Sequence, residues 1–194
     1  MDSQLDISLV LKKIQGLPKG LQGHIDRTRK IARSLAERYD VDINQVDYAM
    51  ASHDLARNLN DNELLKLADD FKIPLSAIEV QSPVLLHGPV AAKWLEHEFN
   101  VLNPDILQAV WFHTTGTPDF HIIGKIVFIS DKLDPAKRLR FPHFDLMQQI
   151  VSKDLNHAIL NYLIDLISIQ EGRQKAAHPL TYAFKKFLEK QYQI

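Results

Sequence analysis

The chain has no cysteine. That excludes disulfides, thiolate-held zinc and a cysteine nucleophile, and it agrees with a reducing compartment. An excess of either charge sign is missing too. The 23 lysines and arginines face 24 aspartates and glutamates, for a formal net charge of -1. No global basic field exists to hold nucleic acid, and no polybasic tail points to a membrane. Any phosphate binding must come from a local site. Nor is there an apolar run long enough to span a bilayer. Residues 1–15 carry Asp2, Asp6, Lys12 and Lys13 around short apolar steps. They lack the basic start and unbroken apolar stretch of a signal peptide. These absences predict a cytoplasmic protein with neither a membrane nor a nucleic-acid partner, and they are compatible with a homodimer. A Walker loop, a Rossmann glycine pattern and a βαβ alternation are absent as well.

What is present is length, helical spacing and histidine. The 194 residues, 45% of them hydrophobic, suit one domain with a real core. Ile25, Thr28, Ile31, Leu35 and Tyr39 share a helix face of roughly four turns. Asp42 is the expected cap of a helix burying Ile43, Val46, Ala49, Met50 and His53, and Asp61 the cap of a short one through Leu64, Leu65 and Ala68. Gly88-Pro89 marks another start, with Val90, Ala91, Trp94, Leu95 and Glu98 on the inner stripe. Asn103-Pro104 opens a helix running to His113. Residues 122–133 are rich in β-branched side chains, yet Ile123, Ile126, Val127 and Ser130 keep helical spacing and predict a buried helix. Two further helices, 155–169 and 181–192, flank a polar linker. The expected architecture is all-α, a helical bundle of about seven to nine helices with a metal site at one end.

Histidines and aspartates stand at the ends of these helices: His24, the adjacent pair His53-Asp54, His87, His113 and Asp131. Neighbours on a helix point about 100° apart, so His53 and Asp54 cannot both face one deep core. At a helix end beside a cavity they can share a metal or bridge two. Imidazole and carboxylate together suit iron, manganese, cobalt or zinc. His97, His121, His143 and His157 read as packing or surface residues, and Trp94 and Trp111 as core.

The order His24, His53-Asp54, Asp131 resembles the HD superfamily of metal-dependent phosphohydrolases, an all-α fold. The words Leu85-Leu86-His87-Gly88-Pro89, His113-Thr114-Thr115-Gly116 and Ser130-Asp131-Lys132-Leu133-Asp134-Pro135 resemble its YqeK-like branch, the bacterial symmetrical bis(5'-nucleosyl)-tetraphosphatases. The resemblance covers residues 24–138, with residues 142–194 expected to pack on that motif core as part of one domain, 1–194. It implies that His24, His53, Asp54 and Asp131 hold one divalent metal and that His87 and His113 hold a second, with Asp54 bridging. Iron is the first expectation, with manganese or cobalt as alternatives. Asp54, His87 and His113 are the implied catalytic residues.

The same resemblance places Arg27, Arg57, Thr114, Lys137, Arg138 and His178 around a nucleotide substrate. His178, before Pro179, either meets phosphate at a helix N-terminus or is a loop histidine. Arg57 and Asp134-Pro135-Ala136-Lys137 depart from the family's lysine and Glu-Pro-Gly-Arg but keep positive charge. The family's asparagine near the C-terminal helix is missing, with Lys185 and Lys186 in that neighbourhood. Paired metals about 3.5–4 Å apart acidify a shared water, which would attack an inner phosphate of a dinucleoside tetraphosphate and release two nucleoside diphosphates. The same chemistry suits an HD phosphohydrolase of mononucleotides or cyclic nucleotides, and the same pocket suits a non-catalytic nucleotide sensor.

Overall fold

In the computed structural model, which describes residues 5–193, eleven α-helices follow one another: α1 (Ile7–Gln15), α2 (Lys19–Arg38), α3 (Ile43–Ser52), α4 (Asp61–Asp70), α5 (Ala77–Gln81), α6 (His87–Glu98), α7 (Pro104–Phe112), α8 (Ile122–Lys132), α9 (Phe144–Ile150), α10 (Leu155–Gly172) and α11 (Pro179–Tyr192). Two 3₁₀ turns, Pro83–Leu86 and Pro135–Arg140, complete the elements. Asp2, part of the charged N-terminal stretch, lies outside the described residues. The all-α class holds, and no strand occurs among the described residues. The helix number exceeds the expected one because α5 and α9 are too short to show a clear 3.6-residue period, and because α1, whose Ile7, Val10, Leu11 and Ile14 do keep that period, was not among the helices expected.

The starts follow local chemistry. Asp42 accepts hydrogen bonds from the N–H groups of Asn44 and Gln45, and Asn103 does the same for Asp105 and Ile106 ahead of Pro104. At α4 the cap is Asn60 rather than Asp61. Asn60 and Glu63 satisfy each other's backbone N–H groups, and Asp61 is the first helical residue. Glu98 belongs to the surface rather than the inner stripe of α6, since it is exposed and pairs with Lys13 at 3.2 Å.

α8 organises the rest. From Ile123 to Lys132 it is buried almost all round, and α2, α3, α7 and α10 pack against it. A helix enclosed on every side can be apolar on every side, which is why its β-branched run does not become a strand. Phe128 meets the rings of Phe120, Tyr162 and Phe184 at 5.8, 5.4 and 5.9 Å, edge-on or tilted. Each such pair contributes about 0.5–1.5 kcal/mol beyond its buried area. α10 thereby ties α9 and α11 to the core, and the Thr181 hydroxyl in the first turn of α11 donates to the Thr115 carbonyl just after α7.

Candidate metal centre

The helix ends converge. His53 and Asp54 follow the last residue of α3, His87 opens α6, His113 follows α7, Asp131 sits in the last turn of α8, and His24 lies in the second turn of α2. All are buried except His24, whose side chain is 13% exposed. The Nε2 atoms of His24 and His53 lie 3.6 and 3.4 Å from Oδ2 of Asp54. Those of His87 and His113 lie 3.1 and 3.6 Å from its Oδ1. The two oxygens of Asp54 therefore face two different histidine pairs. Oδ1 of Asp131 stands 3.0 Å from His24 Nε2 and 3.9 Å from His53 Nε2.

The orientation of these imidazoles is fixed from behind. Nδ1 of His53, His87 and His113 donates to the carbonyl of Met50, Val84 and Val110 respectively, each three residues back. A carbonyl only accepts, so Nδ1 carries the proton and Nε2 presents a lone pair to the cluster. His53 Nε2 is buried without a hydrogen-bond partner, and the Nε2 atoms of His87 and His113 approach to 2.9 Å. Converging lone pairs beside carboxylates are the donor set of a divalent cation, so these residues fit one. Donor atoms of His24, His53 and Asp131 lie close enough together to share one ion, and so do those of His53, Asp54 and His113.

Gly88 makes the approach of His87 to His113 feasible. A Cβ on it would stand 2.8 Å from the carbonyl oxygen of Trp111, 2.9 Å from that of Val110 and 3.1 Å from His113 Nδ1. Only a residue without Cβ lets the start of α6 lie this close to the end of α7.

His87, His113, Asp54 and Asp131 of the cluster, with His24 and His53 behind them, form part of the floor of a cavity of about 690 Å³, within the range of small-molecule sites. Arg57, Lys132, Lys137, Arg140, Arg173 and Lys175 line it together with Asp54 and Asp131. Residues 21–136 match the family model of the HD domain. The chain belongs to the HD-domain family. Among curated relatives of this HD-domain chain is the symmetrical bis(5'-nucleosyl)-tetraphosphatase of Halalkalibacterium halodurans, 30% identical over 82% of this chain and 84% of that one. The protein of the same description from Bacillus subtilis is 27% identical over 78% and 80%. A crystal structure from Clostridium acetobutylicum, described as a predicted HD superfamily hydrolase involved in NAD metabolism, superposes with a TM-score of 0.89 at 22% identity, covering 96% of this chain and 98% of that one. That likeness supports the HD fold. Among the described residues no helix is long and apolar enough to cross a membrane.

Burial by itself would raise the carboxyl of Asp54, but the facing imidazoles of His53, His113 and His87 outweigh it and hold the group well below the usual carboxylate range. Burial likewise opposes, and Lys132 and Lys137 overcome, the same shift at Asp131. For His53, burial is offset by the carboxylates of Asp54 and Asp131, which raise it. Burial and the neighbouring His87 and His53 push His113 down to about 3 despite Asp54, so it is a neutral ligand at neutral pH.

The remaining expected residues separate. Arg57 and Thr114 line the cavity, and the Thr114 hydroxyl lies 3.2 Å from His113 Nε2. Lys137 also lines it and donates to the Asp131 carbonyl at 2.8 Å and to its carboxylate. His178 caps α11: its Nδ1 accepts from Leu180 N–H, and its Nε2 meets Glu79 at 2.9 Å, beside the cavity. Two others are engaged elsewhere. Arg138 is exposed, does not line the cavity, and pairs with Asp145 at 2.9 Å. Arg27 holds Asp134 with both arms of its guanidinium, at 2.8 and 2.9 Å. Lys185 pairs with Glu189 on the outside of α11. His97 stacks on Phe71, His121 meets Asp105, His143 meets Asp165, and His157 packs by Tyr192, none of them in the cavity.

Sequence reasoning missed Lys132, Asp134, Arg140, Arg173 and Lys175. Lys132 is buried, lies over the rings of Phe128 and Tyr162, and donates to the His113 carbonyl at 3.1 Å and to Asp131. Its place beside Asp131 in a buried helix was the available signal. Arg173 and Lys175 sit in a polar linker that gave none.

Proposed function

We propose that this protein is a metal-dependent phosphoric anhydride hydrolase that cleaves dinucleoside tetraphosphates symmetrically into two nucleoside diphosphates. The observation that carries the proposal is the convergence of four histidines and two aspartates, of which His87, His113, Asp54 and Asp131 line a cavity whose remaining charged lining is cationic. A chain of net charge -1 that gathers six cations around one pocket is complementary to a polyphosphate. The curated relatives carry the description of that activity.

In this reading His24, His53, Asp54 and Asp131 would hold one divalent cation, and His87, His113 and Asp54 would hold a second. Iron is the first choice, and manganese or cobalt also suit imidazole and carboxylate donors. When bound, the cations supply Lewis-acid neutralisation of phosphoryl charge and activation of the attacking water. The protein's share is positional. Asp54 ties the two histidine pairs to one carboxylate. Lys132 and Lys137, fixed beside Asp131, place positive charge at the floor, where the bridging oxygen between the inner phosphates gains charge as its bond breaks. The Thr114 hydroxyl offers a hydrogen bond next to His113. Arg57, Arg140, Arg173 and Lys175 hold the outer phosphates. The apolar wall of Ile78, Val84, Leu85 and Leu166 receives the nucleosides.

Incubation of Mn²⁺-loaded protein with diadenosine tetraphosphate, followed by chromatography, tests the reading. ADP as the adenine product is expected. AMP with ATP contradicts symmetrical cleavage. No turnover by a fully metallated sample returns the site to another phosphohydrolase or to a nucleotide sensor.

A further inference from the structure

Three of the four ligand histidines are oriented by the backbone, as described above. The fourth is not. Nδ1 of His24 lies 2.6 Å from Oδ2 of Asp134. Asp134 is buried at 1% exposure, and its two oxygens are held by Nε and Nη2 of Arg27 at 2.8 and 2.9 Å. Its Oδ1 also accepts from the N–H of Ala136, at the start of the Pro135–Arg140 turn. Arg27 stands one turn after His24 on α2, so the fork reaches Asp134 from the same helix that carries the imidazole.

We infer that Arg27 and Asp134 are positioning residues for the metal centre: Arg27 fixes Asp134, Asp134 fixes His24 with Nδ1 protonated, and Nε2 of His24 is thereby aimed at Asp54 and Asp131. The inference rests on the metal-centre reading above, and it gives Arg27 a role other than contact with substrate phosphate. It has a physical consequence. A backbone carbonyl three residues back moves only with its own segment, so His53 and His113 keep their aim as long as α3 and α7 are folded, and His87 as long as the Pro83–Leu86 turn that leads into α6 is. His24 keeps its aim only while a side-chain ion pair between α2 and the Pro135–Arg140 turn is intact. The cation held by His24, His53 and Asp131 therefore depends on Arg27 and Asp134. The cation held by His87 and His113 does not. A carboxylate behind a ligand imidazole typically carries 10–100-fold in metal affinity.

The test is Mn²⁺ titration of the full-length metal-free protein, followed by calorimetry and electron paramagnetic resonance, for the parent chain, Asp134→Asn and Arg27→Met. The parent is expected to bind two Mn²⁺ per chain. In Asp134→Asn one of the two dissociation constants rises about 10–100-fold while the other is unchanged. Arg27→Met moves the same step in the same direction, and Arg27→Lys restores part of it. At saturating Mn²⁺ the variants recover most of kcat, because what they lost is metal. Asp134 also caps a turn, so if Asp134→Asn fails to fold by circular dichroism, Arg27→Met and Arg27→Lys decide. Folded variants that bind both Mn²⁺ as the parent does, with only a lower Tm, would show that the pair merely staples α2 to the turn and overturn the inference. A parent chain that binds no divalent cation would instead remove the metal-centre reading itself.

Discussion

At and beneath the floor of the cavity, His53, His87 and His113 each commit Nδ1 to a carbonyl three residues back, and Asp54 and Asp131 are buried among imidazoles and lysines. On the rim, Arg57, Arg140, Arg173 and Lys175 are exposed and have no carboxylate partner among the described residues. The floor is ordered by folding itself, so a cation meets donors that need little rearrangement. The rim is ordered by whatever binds, at a cost of about 0.5–1.5 kcal/mol for each long side chain immobilised. Chemistry is thus placed where geometry is rigid, and selection of substrate where it adapts.

The sharpest way to break this contrast is Asp54→Ala. Both histidine pairs face that one carboxylate, so if two cations bind as proposed the variant should lose both together. Second-layer substitutions already cost 10–100-fold in metal affinity or activity, so turnover should fall by more than about 10²-fold. Elemental analysis of the purified protein and a product assay check this. Two cations retained with full turnover would dissolve the idea of a shared floor.

Gly88→Ala comes next. The new methyl would press on two backbone carbonyls, at 2.8 and 2.9 Å, neither of which is a flexible end that can swing away. Separation of α6 from α7 should cost about 1–3 kcal/mol and part His87 from His113. Thermal melting and metal content per chain measure both effects. Unchanged Tm and metal content would mean that the floor is softer than the contacts indicate.

The floor was also the part legible from sequence, and for the same reason. His53-Asp54, His87-Gly88 and His113 lie at helix ends that announce themselves through caps, prolines and apolar spacing, so their convergence followed from the bundle. Asp134 escaped because its partners are 110 and 107 positions away in sequence. No local pattern marks such a pair. Arg27 was expected to contact phosphate because the family resemblance implied it, and its place on the same helix face as His24, one turn on, gives a direction and not a partner. Arg140, at the end of the Pro135–Arg140 turn, and Arg173 and Lys175, in the polar linker, escaped because an exposed cation in such segments looks like any solvated residue. α8 was legible despite its β-branched composition because period outweighs propensity in a buried segment.

Removing rim charges should have smaller and different consequences. Arg173→Ala is expected to raise KM for diadenosine tetraphosphate about two- to fivefold with kcat nearly unchanged, the size of an exposed charge contact. Arg140→Ala should behave alike. Because such contacts are screened, the difference from the parent should shrink at about 1 M salt, where the Debye length is near 3 Å. Steady-state kinetics at two ionic strengths separate this from a floor defect, which lowers kcat or metal content instead. A fall in kcat at saturating metal would place Arg173 or Arg140 in the reaction rather than in recognition.

The smallest expected effect concerns the contact that joins the two walls of the rim. Glu79 on α5 meets His178 at the start of α11, with side chains 17% and 10% exposed. Burial tends to raise the Glu79 carboxyl, but Ser76 and His178 together bring it below its ordinary value of 4.5. A carboxyl depressed on folding contributes stability above its unfolded value and loses it as pH falls through the folded one. The parent should therefore melt slightly higher than Glu79→Gln at neutral pH, by the equivalent of about 1 kcal/mol or less. The gap should close once acid has protonated Glu79 below its folded value. Parallel melts from pH 7 to pH 3 read this directly. A gap that stays constant across the range would mean that Glu79 acts only as a neutral hydrogen-bond partner of Ser76, and that His178 is held in place by its cap on Leu180 alone.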